Sequence, residues 1–314
     1  MTAIAVGDVL AEIAANAAQL DAEPRFPKEA FEALQQAGAL TPPADHRQEW
    51  ALVRGVAKAD GSVGRIFEGH LNAVERLRLD GIDPGDDLLG VWGADPAPNE
   101  DEPAYIENDR LHGTKTFCSG AGGLTKALVI AKGTLVLVDL DDDHIEIDRT
   151  WYRAMGMRAS ESHKVHFHGA PIEATLTPLT TQPYLAFDAV RTAAAWAGIV
   201  DSGIEAAIPA LKDDELRALG LGRALTAQAT IDRWFEHAAT TDDPPTTSIM
   251  LRQAVADAGR TVFDELSRAT GSRPFATGTS LDRARRDFEL FVLQHRLDPF
   301  VARLGGARIL GNKT

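Results

Sequence analysis

A single cysteine, three tyrosines and four methionines stand in a chain of 314 residues, and positive charge is short as well, with 32 Lys and Arg against 46 Asp and Glu. Each shortage excludes something. One thiol, Cys118, allows no intrachain disulfide and no multi-cysteine zinc site, and it suits a reducing compartment. A formal charge of -14 and a sequence pI near 5.1 leave no broad basic surface for nucleic acid or an anionic membrane, so an anionic ligand needs a local basic pocket. No window of eighteen uncharged apolar residues exists, which argues against a membrane span. The N-terminal MTAIAVGDVLAEIAANAAQL lacks a basic leader region and reads as an amphipathic helix rather than a signal peptide. A cytoplasmic protein is expected.

The length allows a substantial core and two or three subdomains. Residues 1–86 carry helical spacing. In FPKEAFEALQQAGAL, Phe31, Leu34 and Ala37 share a face between Pro27 and the stop at Gly38. After a turn at Asp60-Gly61, one stripe joins Val63, Ile66, Phe67, His70, Leu71 and Val74. On that pattern alone His70 is a hydrogen-bonded core histidine.

Across 87–183 the period changes to alternation. YIENDRLHG predicts a hairpin around Asn108-Asp109, and ALVIAKGTLVLVDL predicts two strands joined at Lys132-Gly133. HIEID and KVHFHG are further short strands. In KVHFHG, Val165 and Phe167 face inward, so His166 and His168 lie on the opposite, exposed face and are given no metal role. From 184 to 314 the chain is helical again, and its Ala- and Gly-rich start allows close helix approach. The seam MLRQAVADAGRTVFDELSRATG places Leu251, Val255, Ala258, Val262 and Leu266 on one side and ends at Gly271. The fold class is α+β, mostly α, with domains at 1–86, 87–183 and 184–314.

The stretch LDRARRDFELFVLQH sets Phe288, Phe291, Val292 and His295 on one helical face. A second row of Leu290, Leu293 and Leu297 makes the helix apolar over most of its circumference, which predicts burial. Asp298-Pro299 opens a further helix, so His295 stands at a break between two helices. The glycine-bearing HGTKT, GAGGLT and GLGRAL lack the spacing of phosphate or dinucleotide loops, and an NTPase or Rossmann protein is not expected.

The segment GSRPFATGTSLDRARRDFELFVLQH resembles the end of the acyl-CoA dehydrogenase superfamily, where a glycine-containing loop, an Arg-Asp pair (here Arg286-Asp287) and an apolar helix lead to the catalytic carboxylate. Counted on without a gap, that carboxylate position holds His295. KTFCSGAGG resembles the loop that lies against the flavin ring, with Phe117 and Ser119 in the aromatic and hydroxyl positions. GMRASES matches a Gly-x-Arg-x-Ser-x-Ser/Thr motif in Gly156, Arg158, Ser160 and Ser162. GLGRALTAQATIDRW supplies Gly222, Arg223 and Gln228, and Gly271 alone survives of a glycine-rich adenine loop. GVWGADPAPNE keeps little of the family's Thr-Glu-Pro loop. Phe187-Asp188-x-x-Arg191 resembles the family's Phe-Asp-x-x-Arg, but the residue where some members carry a base is Val190.

The resemblance implies an N-terminal helical domain, a middle β-barrel or sandwich, and a C-terminal helical bundle. It implies FAD, or reduced FMN or FAD, held by Phe117, Ser119, Arg158, Ser160, Gln228 and Gly271, with His295 and His70 in catalytic roles and no metal. The first reaction it implies is oxidation of an acyl-CoA-like substrate, with proton abstraction and hydride transfer to flavin, and an electron-transfer flavoprotein as partner. An alternative is a flavin-dependent monooxygenase, in which His70, Ser119 and His295 surround a reduced flavin fed by a flavin reductase. The missing carboxylates favour this second reading. A flavin-free, non-enzymatic homologue is the third. A homodimer or tetramer is expected.

Overall fold

The structure, a computed structural model, describes residues 5–211, 214–294 and 297–311. Among them four helices open the chain: α1 (Val6–Ala22), α2 (Lys28–Gln36), α3 (His46–Ala59) and α4 (Gly61–Leu79). Eight strands follow: β1 (Leu89–Trp92), β2 (Tyr105–Glu107), β3 (Arg110–Cys118), β4 (Lys126–Ala131), β5 (Thr134–Asp139), β6 (Ile145–Asp148), β7 (His163–Pro171) and β8 (Ala174–Leu176). The remaining helices are α5 (Tyr184–Ala207), α6 (Glu215–Ala238), α7 (Pro244–Thr270), α8 (Arg273–Ala276), α9 (Ser280–Phe291) and α10 (Asp298–Gly311). By contact the chain forms two compact units rather than three consecutive ones. Met1–Pro43 with Arg65–Tyr184 make the first, and Ala44–Gly64 with Leu185–Thr314 the second.

In the first unit α2 buries Phe31 and Leu34 and closes where the Ala39 N–H donates to Leu34 O, 2.9 Å away, satisfying a carbonyl the helix end leaves open. Both predicted hairpins turn through left-handed residues, Asn108-Asp109 (φ 51° and 58°) and Lys132-Gly133 (φ 46° and 91°). That geometry matches the twist of the strands it joins. The strands form two four-stranded sheets, ordered β1-β4-β5-β8 and β2-β3-β7-β6, with β1 parallel to β4 and the other pairs antiparallel. No closed barrel is present among the described residues, so a sandwich-like pair of sheets stands where a barrel was one expectation. Ala73, Val74 and Leu77 of α4 lie in one apolar cluster with Leu89, Leu128, Leu135, Leu137 and Leu176, which anchors this helix against the first sheet.

In the second unit α3 passes close to α5. A Cβ added at Gly198 would stand 2.2 Å from Arg54 O, a spacing that no larger residue permits without moving backbone. The Arg191 guanidinium and the Glu49 carboxylate, 0% and 1% exposed, meet at 2.7 Å across this contact. Burial works against the charge on Glu49, but His46 and Arg191 outweigh it and hold the carboxyl below its usual range. The α7 seam Leu251, Val255, Ala258, Val262 and Leu266 is buried throughout.

Helix α9 differs in part from its sequence pattern. Phe288, Phe291 and Val292 are buried, but Leu293 is 69% exposed. The helix stops at Phe291, so Leu293 of the second apolar row has no helical turn to carry it inward, while Leu290 is half-buried and Leu297 is buried. His295 lies outside the described residues. No helix among the described residues is long and apolar enough to cross a membrane.

Candidate functional site

Strands β3 and β7 pair antiparallel, and the register slips between Lys115, opposite Val165, and Cys118, opposite His163. Three steps along β3 therefore match two along β7, which is a bulge of one residue. It re-aims Phe117, which adopts φ 51° and leaves its ring 43% exposed instead of facing inward as strand alternation allows. Trp151 meets that ring edge to face, with centroids 4.9 Å apart at 84°. Trp151 Nε1 donates to Glu100 Oε1 at 2.9 Å. Lys164 Nζ donates to the same oxygen at 2.6 Å and to Asp101 at 2.7 Å. Donation from Lys164 and then from Trp151 holds the Glu100 carboxyl below its ordinary range. The exposed Phe117 and half-buried Trp151 are thus braced by a polar frame.

Immediately after the bulge the chain turns inward. Ser119 is 8% exposed, and its carbonyl accepts from Trp92 Nε1 at 3.1 Å. Its hydroxyl lies 2.9 Å from Ser162 Oγ, which lies 2.8 Å from Ser160 Oγ, and Ser160 donates to Met157 O at 2.7 Å. Each hydroxyl has one proton. Because Ser160 commits its own to a carbonyl, Ser162 must donate to Ser160 and Ser119 to Ser162. The Ser119 oxygen is left with acceptor capacity only.

The motif GMRASES builds this arrangement. Arg158–Ser160 form a 3-10 turn between two left-handed residues, Met157 (φ 53°) and Glu161 (φ 42°), and the Gly120 N–H donates to Ser160 O at 2.7 Å. Such backbone is costly for non-glycine residues and is held by its surroundings. Gly122 leaves the space that Glu161 fills, since a Cβ there would fall 1.4 Å from Glu161 Oε2. Arg158 Nη1 donates to Asp21 O at the end of α1. This is the place where a cation stabilises a helix C-terminus, so that donor serves the helix rather than a ligand.

His70 is 2% exposed and has both ring nitrogens engaged by backbone. Nε2 lies 2.9 Å from Leu40 O, and Leu89 N lies 3.1 Å from Nδ1. A carbonyl only accepts and an amide N–H only donates, which places the single ring proton on Nε2. Burial, partly offset by the Leu40 carbonyl, pulls the pKa to about 4, so the ring is neutral near pH 7. In this structure backbone groups occupy both ring nitrogens, the ones a catalytic His70 would offer to a reacting atom. Its contact instead fixes Leu89, the first residue of β1, and the last residue of that strand, Trp92, holds Ser119.

The first unit therefore brings together Phe117, Ser119 and Ser160, with Arg158 alongside. Gln228 and Gly271 belong to the second unit. Gln228 Nε2 donates to Asp201 Oδ1 at 2.7 Å, beside the bidentate Arg54 pair at 2.6 and 2.9 Å. Gly271 (φ 73°) closes α7 through its N–H on Ser267 O. His166 meets Thr114 Oγ1 at 3.0 Å, and the exposed His168 lies 3.3 Å from Glu146. Trp151 and Glu100 escape pattern reading because they stand in loops where no period applies, and Lys164, outward by strand alternation, is only 7% exposed. Ser162 is legible in the GMRASES motif.

No family model matches the chain. A dibenzothiophene monooxygenase from Rhodococcus qingshengii is 26% identical over a region covering 39% of this chain and 36% of that protein. The matched region thus spans about a third of that curated relative. Among solved structures, FMN-bound TdsC from Paenibacillus sp. A11-2 superposes with a TM-score of 0.79 at 18% identity, covering 96% of this chain and 95% of that one. Methanesulfinate monooxygenase MsuC from Pseudomonas fluorescens gives 0.78 at 20% identity, covering 98% and 96%. These likenesses establish the fold, which is acyl-CoA dehydrogenase-like.

Proposed function

We propose that this chain is a flavin-dependent monooxygenase that takes up reduced FMN or FAD and transfers one oxygen atom from O₂ to a small organic substrate. The observation that carries this reading is the direction of the serine hydrogen bonds. Because Ser119 must give its proton to Ser162, its oxygen can only accept, and a flavin carries an N–H at its reactive nitrogen only when reduced. An acceptor there favours the reduced ring and disfavours the oxidised one, whose nitrogen is itself an acceptor. Phe117, exposed and met edge-on by Trp151, offers the aromatic wall such a ring needs.

Bound flavin supplies the activation of O₂, and the chain's own residues do the rest. Phe117 and Trp151 would orient the ring, and the Ser119 oxygen would accept its N–H. His70 positions Ser119 through β1. The family resemblance gives His295, which lies outside the described residues, the role of a hydrogen-bonding or proton-transferring group. The dehydrogenase reading needs a base for the proton α to a thioester carbonyl. Val190, buried at 4% exposure, cannot be that base, and the other family position is His295 rather than a carboxylate.

A monooxygenase of this kind draws on a separate flavin reductase. The similarity to dibenzothiophene monooxygenase and MsuC supports a heteroatom-bearing small molecule as substrate, and a cytoplasmic location fits the thiol content. Self-association into a homodimer or tetramer is supported by α6, where Leu216 and Leu219, three residues apart on one side of the helix, are 79% and 49% exposed. Calorimetric titration with oxidised and photoreduced FMN tests the central point. The wild type binds reduced FMN about tenfold more tightly than oxidised, the scale of one hydrogen bond gained and one clash of acceptors avoided. Ser162→Ala, which frees the Ser119 proton, narrows that ratio; equal affinities in the wild type would refute the assignment.

A further inference from the structure

Three arginines recur within ten residues of the loop between β6 and β7: Arg149, Arg153 and Arg158. All three line one cleft of about 370 Å³ in the first unit, with Tyr152, Glu161 and His163 among its other walls. In a chain of net charge -14, three guanidinium groups facing a single carboxylate are a local reversal of sign. Each arginine has part of its donor fork committed. Arg149 Nη1 lies 3.3 Å from Glu161 Oε2, Arg153 Nε donates to Thr150 O at 2.9 Å, and Arg158 Nη1 donates to Asp21 O. A guanidinium has five N–H donors, so each retains others. At the cleft wall His163 is 7% exposed, and neither ring nitrogen has a hydrogen-bond partner; Glu161 Oε1 stands 3.6 Å from its Nε2, beyond hydrogen-bond reach.

We infer that this cleft is an anion site for a phosphate group, with Arg149 and Arg153 as its principal ligands and Glu161 as the internal counter-charge that occupies Arg149 in the free protein. Planar forks match the tetrahedral oxyanion bidentately. When the anion engages Arg149, the Glu161 carboxylate is released to close its 3.6 Å gap to His163, which gives that unpartnered imidazole a partner. The cleft is lined by neither Phe117, Trp151 nor Ser119, so the inference does not depend on the flavin reading. The phosphate can be that of a flavin nucleotide or of another ligand.

The test is an NMR titration of the full chain with inorganic phosphate against chloride at matched ionic strength, following the His163 ring resonance. A saturable shift is expected in the wild type, with the dissociation constant raised about tenfold or more in Arg153→Ala, the loss of one charge-assisted bond. Arg153→Lys, which keeps the charge without the fork, gives an intermediate value. Because Arg153 is exposed, these changes leave the fold intact. Competition by FMN but not riboflavin would identify the flavin's own phosphate as occupant; phosphate binding undisturbed by either would identify a separate phosphate-bearing ligand. A shift that does not saturate, or one that is the same in Arg153→Ala, overturns the proposal.

Discussion

The hydroxyls of Ser160 and Ser162 lie 2.8 Å apart, and the proton between them belongs to Ser162, because Ser160 spends its own on Met157 O. That single relationship orders the chain of donors back to Ser119. Replacing Ser162 with Ala removes two buried hydrogen bonds at once. A loss of about 1–3 kcal/mol in unfolding free energy is expected, read from the denaturant midpoint, whereas Ser162→Thr, which keeps the hydroxyl, recovers most of it.

His70 gives the protein an acid-sensitive element. In the unfolded chain it titrates near 6.5, and in the folded protein near 4, so between those values the unfolded state binds the extra proton. Stability is therefore fully present above pH 6.5 and falls as the pH drops towards 4, by on the order of 3 kcal/mol at most. Thermal unfolding followed from pH 7.5 to 4.5 checks this, and His70→Gln is expected to flatten the slope over that window.

Phe117 occupies a left-handed conformation that its side chain disfavours, while its ring is 43% exposed. Phe117→Gly relieves backbone strain of about 1 kcal/mol and forfeits little buried surface. The melting temperature is expected to hold or rise while flavin retention after gel filtration falls. A ring kept only for packing gives the opposite pattern, with lower stability and unchanged flavin.

Gly198 sets the approach of α3 to α5. In Gly198→Ala the new methyl meets backbone at Arg54 O and Lys58 N, which cannot rotate away, and a loss of about 3 kcal/mol is expected. Chemical denaturation measures it directly.

Much of this architecture is legible in the residues themselves. Helical stripes such as Phe31 and Leu34, and the hairpins at Asn108-Asp109 and Lys132-Gly133, depend on local periods and turn chemistry that fold unchanged into the structure. The serine motif is legible only through resemblance, since GMRASES has no period. What escapes the sequence is set by distant partners. The outward turn of Phe117 follows from a register slip against β7, the neutral state of His70 follows from burial, and its tautomer follows from two backbone groups 30 and 19 residues away. In the second apolar row of the α9 stretch only Leu293 misleads, because the helix ends before it. Trp151 takes its place from Glu100, Phe117 and Lys164, and no spacing in the sequence brings those four together.

The chain is expected to use O₂ with reduced flavin rather than to draw hydride from an acyl thioester. The most direct test is a single-turnover reaction of the protein with photoreduced FMN and, as probe, dibenzothiophene, the compound in the name of one relative, under ¹⁸O₂, analysed by mass spectrometry, with an acyl-CoA arm run anaerobically on the oxidised protein. One ¹⁸O atom in the organic product and no bleaching of flavin by acyl-CoA is the predicted result. Product free of label, together with anaerobic reduction of the flavin by acyl-CoA, would contradict it.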